Sequence, residues 1–401
     1  MNAMEPVIQR IVLKGFRSIP AETISFDNPT IFVGRNGSGK SNLVGAFSFL
    51  SEAMSWPLQA VFERAGGIEA VCNRSLGESY PRSLAMRVDF GSVFPSDGTG
   101  FYAFEVKARQ NYGFSVVREQ CRVAEGPGCV WFDRDEGGFR SNVQGLDPAL
   151  DAAALGLPVV GGAMSFLPMW QLLAGMRVYS IEPGKVRAVQ EPDSGVALKR
   201  DGANVASVLN TIQGRSPANF ERISEILSTI VPNTSRVDVR WHGGGLGLQF
   251  TQEWHDDRPR RLTFEGSSMS DGTLRAIGLL AAVFQTSRPP LIAVEEPEAT
   301  IHPGALDAVL DLLLLASKQM QVVVTTHSPE LLDAKWITER NLRFVEWREG
   351  ATRVTPVSEA NRQALQSHLM GAGDLLRSNA LEPIETVDGK TDPSPLFEDL
   401  Q

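Results

Sequence analysis

The sequence is poor in cysteine: three in 401 residues, none paired in a C-x-x-C spacing. Cys72, Cys121 and Cys129 therefore read as reduced thiols, and neither a disulfide framework nor a zinc site is expected. Histidine is scarce as well, with five in the chain, and none clusters with a cysteine. No apolar run approaches the roughly 18 residues of a membrane span, and the longest candidate, 277–284, is far too short. The first ten residues lack the charged-then-apolar pattern of a secretory signal. A basic surplus is also missing, because 38 Lys and Arg face 47 Asp and Glu for a net charge of −9. The chain as a whole has no electrostatic drive toward nucleic acid or an anionic membrane, so any DNA contact must come from a local patch. There is no internal repeat and no sustained heptad. What remains is a soluble, cytoplasmic protein, 42% apolar and 21% charged, with room for two or three domain-sized units.

Against that plain background one motif stands out. Gly34-Arg35-Asn36-Gly37-Ser38-Gly39-Lys40-Ser41 fits the phosphate-cradling pattern G-x-x-x-x-G-K-[ST]. It follows a strand pattern at Thr30–Val33 and precedes a helix pattern at Asn42–Met54. Small residues let successive N–H groups turn toward a polyphosphate, and the new helix adds its positive end. Lys40 is placed to reach the β- and γ-phosphates and Ser41 to hold Mg²⁺. The expected ligand is a nucleoside triphosphate, with Mg²⁺ as cofactor.

Further along, Leu291–Val294 is an apolar strand ending in Glu295-Glu296-Pro297-Glu298. Such a strand delivers carboxylates to the C-terminal edge of a parallel sheet, where open α/β sites lie. Glu295 is expected in the Mg²⁺ shell and Glu296 as the base that orients and deprotonates water. A second apolar strand, Gln321–Thr325, leads to His327, whose imidazole can hydrogen-bond a γ-phosphate. Between P-loop and acids, Ser270-Asp271-Gly272 opens an apolar helix and offers a hydroxyl and N–H groups to an anion, although Ser and Asp are also ordinary capping residues. His302, before Pro303, reads equally as a helix cap or a functional group. Ser216 is expected to cap a helix running to Ile230.

The alternating segments between 84 and 132 predict an antiparallel meander, and the last third alternates helix and strand as a parallel sheet does. The fold expected is α/β, a P-loop NTPase built on a mixed sheet with an antiparallel β lobe. One composite head spans 1–382: an N-terminal lobe (1–135) with P-loop and antiparallel sheet, an inserted region (136–270), and a C-terminal lobe (271–382). A disordered acidic tail is expected over 383–401.

The order of these motifs resembles the RecF/SMC/Rad50 group of ABC-type ATPase heads, and more closely the stand-alone RecF-like AAA-family ATPases of bacteria. Leu13-Lys14-Gly15-Phe16-Arg17-Ser18 resembles their first strand, Met269–Leu274 their signature loop, Glu296–Pro303 their acid strand and D-loop, and Thr325–Pro329 their switch histidine. The resemblance implies a P-loop NTPase of the ABC-ATPase head type, a mixed sheet with an antiparallel β lobe and a helical signature lobe, and that Arg17 and Asn42 join the nucleotide site. It also implies that Ser270, Asp271 and Gly272 act in trans on a second copy, giving an ATP-dependent homodimer. Two departures stand out: Asp271 replaces the glycine of transporters, and no glutamine-bearing loop follows the P-loop helix. Gly66–Glu69 or Asn73 are the candidates for that loop's role.

The activity expected is ATP hydrolysis coupled to DNA repair or maintenance. A nucleotide-gated scaffold or sensor in anti-phage defence, acting through a separate effector, is the alternative. Roughly 230 residues without heptads separate Lys40 from Ser270, which favours a compact head over long coiled-coil arms. About seventy residues follow His327, which leaves a nuclease to a separate protein. Arg258, Arg260 and Arg261, or the 109–122 region, are candidate DNA contacts, with a solvated strand edge the favoured reading.

Overall fold

The computed structural model describes residues 4–74, 83–91, 99–109, 113–125, 128–255, 259–383 and 395–400. A hairpin of β1 (Ile8–Phe16) and β2 (Ile19–Ser25) precedes β3 (Thr30–Val33), α1 (Lys40–Ser55), α2 (Leu58–Arg64) and α3 (Ile68–Val71). A meander follows: β4 (Ser83–Phe90), β5 (Gly100–Ala108), β6 (Phe114–Glu125), β7 (Gly128–Asp135) and β8 (Gly138–Ser141). Then come α4 (Leu157–Val160), α5 (Leu167–Gly175), β9 (Arg177–Tyr179), α6 (Pro183–Arg187), α7 (Val205–Arg215) and α8 (Pro217–Ile230). A second meander holds β10 (Thr234–His242), β11 (Gly245–His255) and β12 (Pro259–Glu265). The last part runs α9 (Asp271–Phe284), β13 (Leu291–Glu295), α10 (Pro303–Ser317), β14 (Gln321–Thr326) and α11 (Pro329–Leu332). It closes with β15 (Leu342–Arg348), β16 (Ala351–Thr355), α12 (Glu359–Gln366) and α13 (Ala372–Arg377).

The meander joins the first hairpin in a seven-stranded antiparallel sheet, β2-β1-β4-β5-β6-β7-β8. The P-loop strand β3 lies elsewhere, in a six-stranded mixed sheet ordered β16-β15-β3-β14-β13-β9. Its strands β15, β3, β14, β13 and β9 are mutually parallel. Their side chains alternate between two cores, as period-two geometry requires of a strand buried on both faces. Phe32, Leu291, Ala293 and Val323 point into the core shared with the antiparallel sheet and α1. Ile31, Val33, Ile292, Val294, Val322 and Val324 point into the core formed by α7 to α10.

Three details depart from the sequence reading. α5 and its Trp170, which bonds the Met54 carbonyl, carried no clear periodic signal. Ser216 precedes α8, but its side chain makes no capping bond. Of the tail, 384–394 and 401 lie outside the described residues, and 395–400 rest on the antiparallel sheet, with Leu396 buried against Val12 and Ala85.

Candidate active site

The strand registers bring the motifs together. Glu295 at the end of β13 stands opposite Thr325 of β14, and Thr326 stands opposite Val33 of β3. The Gly34 amide then donates to the Thr326 carbonyl at 3.3 Å. P-loop, acid pair and His327 thus leave three adjacent strands at one sheet edge, where an open α/β site belongs.

The P-loop is clamped from outside by the β15–β16 hairpin. A Cβ on Gly34 would sit 2.1 Å from the Val345 carbonyl, and one on Gly39 would strike Thr352. Thr352 Oγ1 donates to the Ser38 carbonyl (3.1 Å) and lies 2.7 Å from Ser18 Oγ, which accepts from Asn42 Nδ2 at 2.7 Å. Gly39 adopts φ +103 and α1 starts at Lys40 without a side-chain cap, so its first N–H groups remain donors for an anion. Lys40 is buried, and its Nζ donates to the loop's own carbonyls at Gly34 (2.7 Å) and Arg35 (3.0 Å). Burial pulls its pKa below the usual lysine value, while the charges of Glu296 and Glu298 push back. Arg35, Asn36 and Ser41 are exposed.

Glu296 sits at φ +45, an uncommon conformation for a side chain of this size. Such backbone costs on the order of 1–3 kcal/mol and gathers at functional sites. Its amide donates to the Thr325 carbonyl at 3.0 Å, and its Oε1 lies 3.1 Å from His327 Nδ1. The acid and the histidine are therefore a bonded pair, both open to solvent. Glu295 is more enclosed, and Oε1 accepts from Arg200 at 2.6 Å. Arg200 was invisible to sequence reasoning, since nothing near it announces a partner 95 residues on.

Two further groups were missed. Glu298 is largely buried and accepts from Thr326 Oγ1 at 2.6 Å, and burial raises its pKa. Arg275 of α9 is half-buried and feels the charges of Glu296, Glu298 and Asp271. Among the described residues, Arg275 Nε and Glu298 Oε2 are buried without a hydrogen-bond partner. The i, i+4 spacing of Asp271 and Arg275 was the available signal.

The signature segment faces outward. Ser270 is exposed and caps α9, its Oγ accepting from the Thr273 amide at 3.2 Å. Asp271 is ion-paired to Arg187 at 2.6 Å. Gly272 packs so closely that a Cβ would lie 2.5 Å from the Thr300 carbonyl. His302 is the N-cap of α10, accepting from the Gly304 amide at 3.1 Å. Arg17 has φ +48, and its side chain lies over Gly45 of α1. Burial lowers its pKa, followed by the positive charge of Arg200, with Glu295 opposing. Asn73 spends its amide on the Arg17 carbonyl at 2.7 Å, so it positions Arg17. A cavity of about 770 Å³ beside these groups is lined by Arg17, Ser18, Asn42, Asn73 and Trp347.

Glu295 and Ser41 offer hard oxygen donors of the kind Mg²⁺ takes. Among the described residues no three His, Cys, Asp or Glu side chains form a self-contained metal cage. A divalent ion here would draw part of its shell from phosphate oxygens, the usual Mg²⁺ arrangement. Of the candidate DNA contacts, Arg258 lies outside the described residues, Arg261 pairs with Glu253 at 3.5 Å, and Arg118 and Arg122 engage the C-terminal segment.

The fold is that of an ABC-type ATPase head, and fold and site together resemble the RecF/SMC/Rad50 group. Residues 7–77 match the AAA ATPase domain model, and 167–333 match the family model described as "AAA domain, putative AbiEii toxin, Type IV TA system". The Old nuclease of Escherichia phage P2 is 22% identical over 421 residues, covering 96% of this chain and 68% of that protein. The SmcHead bound to the C-winged helix domain of ScpA aligns over 89% of this chain and 99% of its own, with TM-score 0.56 and 17% identity. An Smc head with an extended coiled coil, bound to the C-terminal domain of ScpA derived from Pyrococcus furiosus, aligns over 91% and 99%, with TM-score 0.54 and 14% identity. At such low identities the structural likeness shows the fold alone. No helix among the described residues is long and apolar enough to cross a membrane.

Proposed function

We propose that this chain binds ATP with Mg²⁺ and hydrolyses it between two copies of itself, with the cycle coupled to DNA maintenance. The observation that carries the reading is the strained Glu296 bonded to His327 beside Lys40. A carboxylate fixed at one strand end, with an imidazole holding one oxygen, can take a proton from water with the other. Lys40 would exchange the Gly34 and Arg35 carbonyls for phosphate oxygens. Ser41 and Glu295 would hold Mg²⁺, which neutralises phosphate charge. The nucleoside would lie in the cavity between Arg17, Asn42 and Trp347. Ser270, which is exposed, and Gly272 beside it would close on the partner's triphosphate. The likeness to Smc heads and to a protein called a nuclease supports the DNA connection.

The match to a model described by a type IV TA system favours a second reading, a nucleotide-gated scaffold acting through a separate effector. ATPase assays with and without duplex DNA separate the two: stimulation by DNA supports the first, and no binding with no stimulation removes it. Glu296→Gln is expected to abolish turnover and to accumulate as an ATP-bound dimer in light scattering. A variant that stays monomeric with saturating ATP contradicts the composite site.

A further inference from the structure

The outer face of the antiparallel sheet carries four arginines, Arg10, Arg87, Arg118 and Arg122, from β1, β4 and β6. The sheet supplies part of the counter-charge, Asp89 to Arg10 and Arg87 and Asp133 to Arg118, and the chain's own residues 395–400 engage Arg87, Arg118 and Arg122 as well. Arg87 is only 4% exposed, and Asp89 takes part of its hydrogen-bonding capacity. The rest goes to this segment: Nη1 to the carbonyls of Pro395 and Leu396 (both 3.3 Å) and Nη2 to Glu398 Oε1 (2.5 Å). Gln120, fully buried, grips the backbone of Glu398 from both sides, donating to its carbonyl and accepting from its amide at 2.9 Å each. Arg118 lies 4.7 Å from the Phe397 ring centroid, Leu396 fills an apolar spot between Val12 and Ala85, and Arg122 reaches the second Glu398 oxygen at 3.5 Å.

Gln120 and Arg87 Nη1 hold main chain, whichever residues carry it, whereas the other contacts discriminate by residue type. An apolar subsite, a cationic aromatic subsite and the Arg87 and Arg122 guanidiniums read apolar–aromatic–acidic in order, the way short linear peptides are read. We propose that this face is a peptide-docking site whose ligand is the C-terminal segment Leu396-Phe397-Glu398, held reversibly. Few side chains anchor the segment, so its own affinity is modest and the covalent tether supplies the occupancy. A short tether gives an effective concentration on the order of millimolar. A segment with the same three residues on a second molecule therefore competes only when the tethered one lets go.

The test uses the full chain. Leu396→Asp with Glu398→Ala disarms the tethered segment without touching the sheet. A fluorescent synthetic peptide of residues 391–401 is then titrated and followed by anisotropy. It is expected to bind this double variant at least about tenfold more tightly than the unmodified chain, whose tether competes. Adding Arg122→Glu, an exposed change, should weaken that binding several-fold, and so should raised salt. Equal binding to both chains, or none to the double variant, overturns the proposal. So does a double variant that binds labelled duplex DNA but not the peptide, since the arginines would then form a nucleic-acid surface.

Discussion

Replacing Arg200 by methionine should tighten Mg²⁺ binding at the site. Glu295 Oε1 lies 2.6 Å from the Arg200 guanidinium, with the arginine side chain 55% exposed and the carboxylate 11%. To enter a metal shell Glu295 must release this partner or share itself, so the ion competes with a fixed positive charge. A pair with one member this exposed contributes about 0.5–1 kcal/mol. At 1.4 kcal/mol per tenfold, the Mg²⁺ midpoint should fall about 2- to 5-fold. Methionine keeps the length of the stem, so packing changes little. The assay is a Mg²⁺ titration of fluorescent ATP-analogue binding, run in a Glu296→Gln background so that turnover does not intrude. Thermal melting in parallel should show only a small change, as expected for a surface pair. An unchanged midpoint would mean that Glu295 does not serve the metal. A raised midpoint would mean that Arg200 orders Glu295 for the ion instead of competing with it.

Two other perturbations bear on the same edge of the sheet. Gly34→Ala puts a Cβ 2.1 Å from the Val345 carbonyl; the resulting backbone shift should cost about 1–3 kcal/mol and abolish nucleotide binding, and calorimetry showing native ATP affinity would refute the tight clamp. Glu298→Gln should gain stability relative to the native chain as pH rises above the ordinary glutamate value of 4.5. Burial lifts the folded-state pKa, so the native group's stabilisation is complete below the unfolded value and is lost as pH rises through the folded one. Urea midpoints compared at pH 4.5 and at neutrality test this, and a gap that stays constant or shrinks contradicts it.

What the sequence made legible was local or strictly periodic. The P-loop declares itself in eight contiguous residues, and β3, β13 and β14 are continuous apolar runs because both their faces are buried. The acid pair was legible for the same reason, as polar residues that abruptly end such a run. Registers between distant strands left no local trace. Nothing in Arg177–Tyr179 says that it pairs with β13, and nothing around Arg200 points to Glu295. Ser216 shows the converse failure, since a residue of the right type in the right place makes no side-chain cap. The C-terminal segment misled through its flanking prolines and acids, a composition typical of disorder. Its anchors are three residues long, too few to register in any window.

Several unfavourable features of the site fall on one short stretch. Glu296 at φ +45 and Thr300 at φ +63 lie four residues apart, and between them Glu298 holds a buried oxygen with no partner. Facing this stretch from α9 is Arg275, with its own unpartnered nitrogen, and Gly272, pressed on the Thr300 carbonyl. A buried polar atom left unbonded costs about 1–3 kcal/mol, so the segment stores several unfavourable contributions at once. These lie between the acid that would activate water and the helix that begins at Ser270, while Arg17 at φ +48 and the unpartnered Ser38 Oγ lie beside the P-loop. A rearrangement that joined Arg275 to Glu298 would satisfy both atoms together and would move Gly272 with α9. Such a rearrangement would make the acid strand and the loop at Ser270 move as a single unit. A triphosphate sensed at Glu296 and a partner sensed at Ser270 would then act on the same few bonds, whichever arrives first.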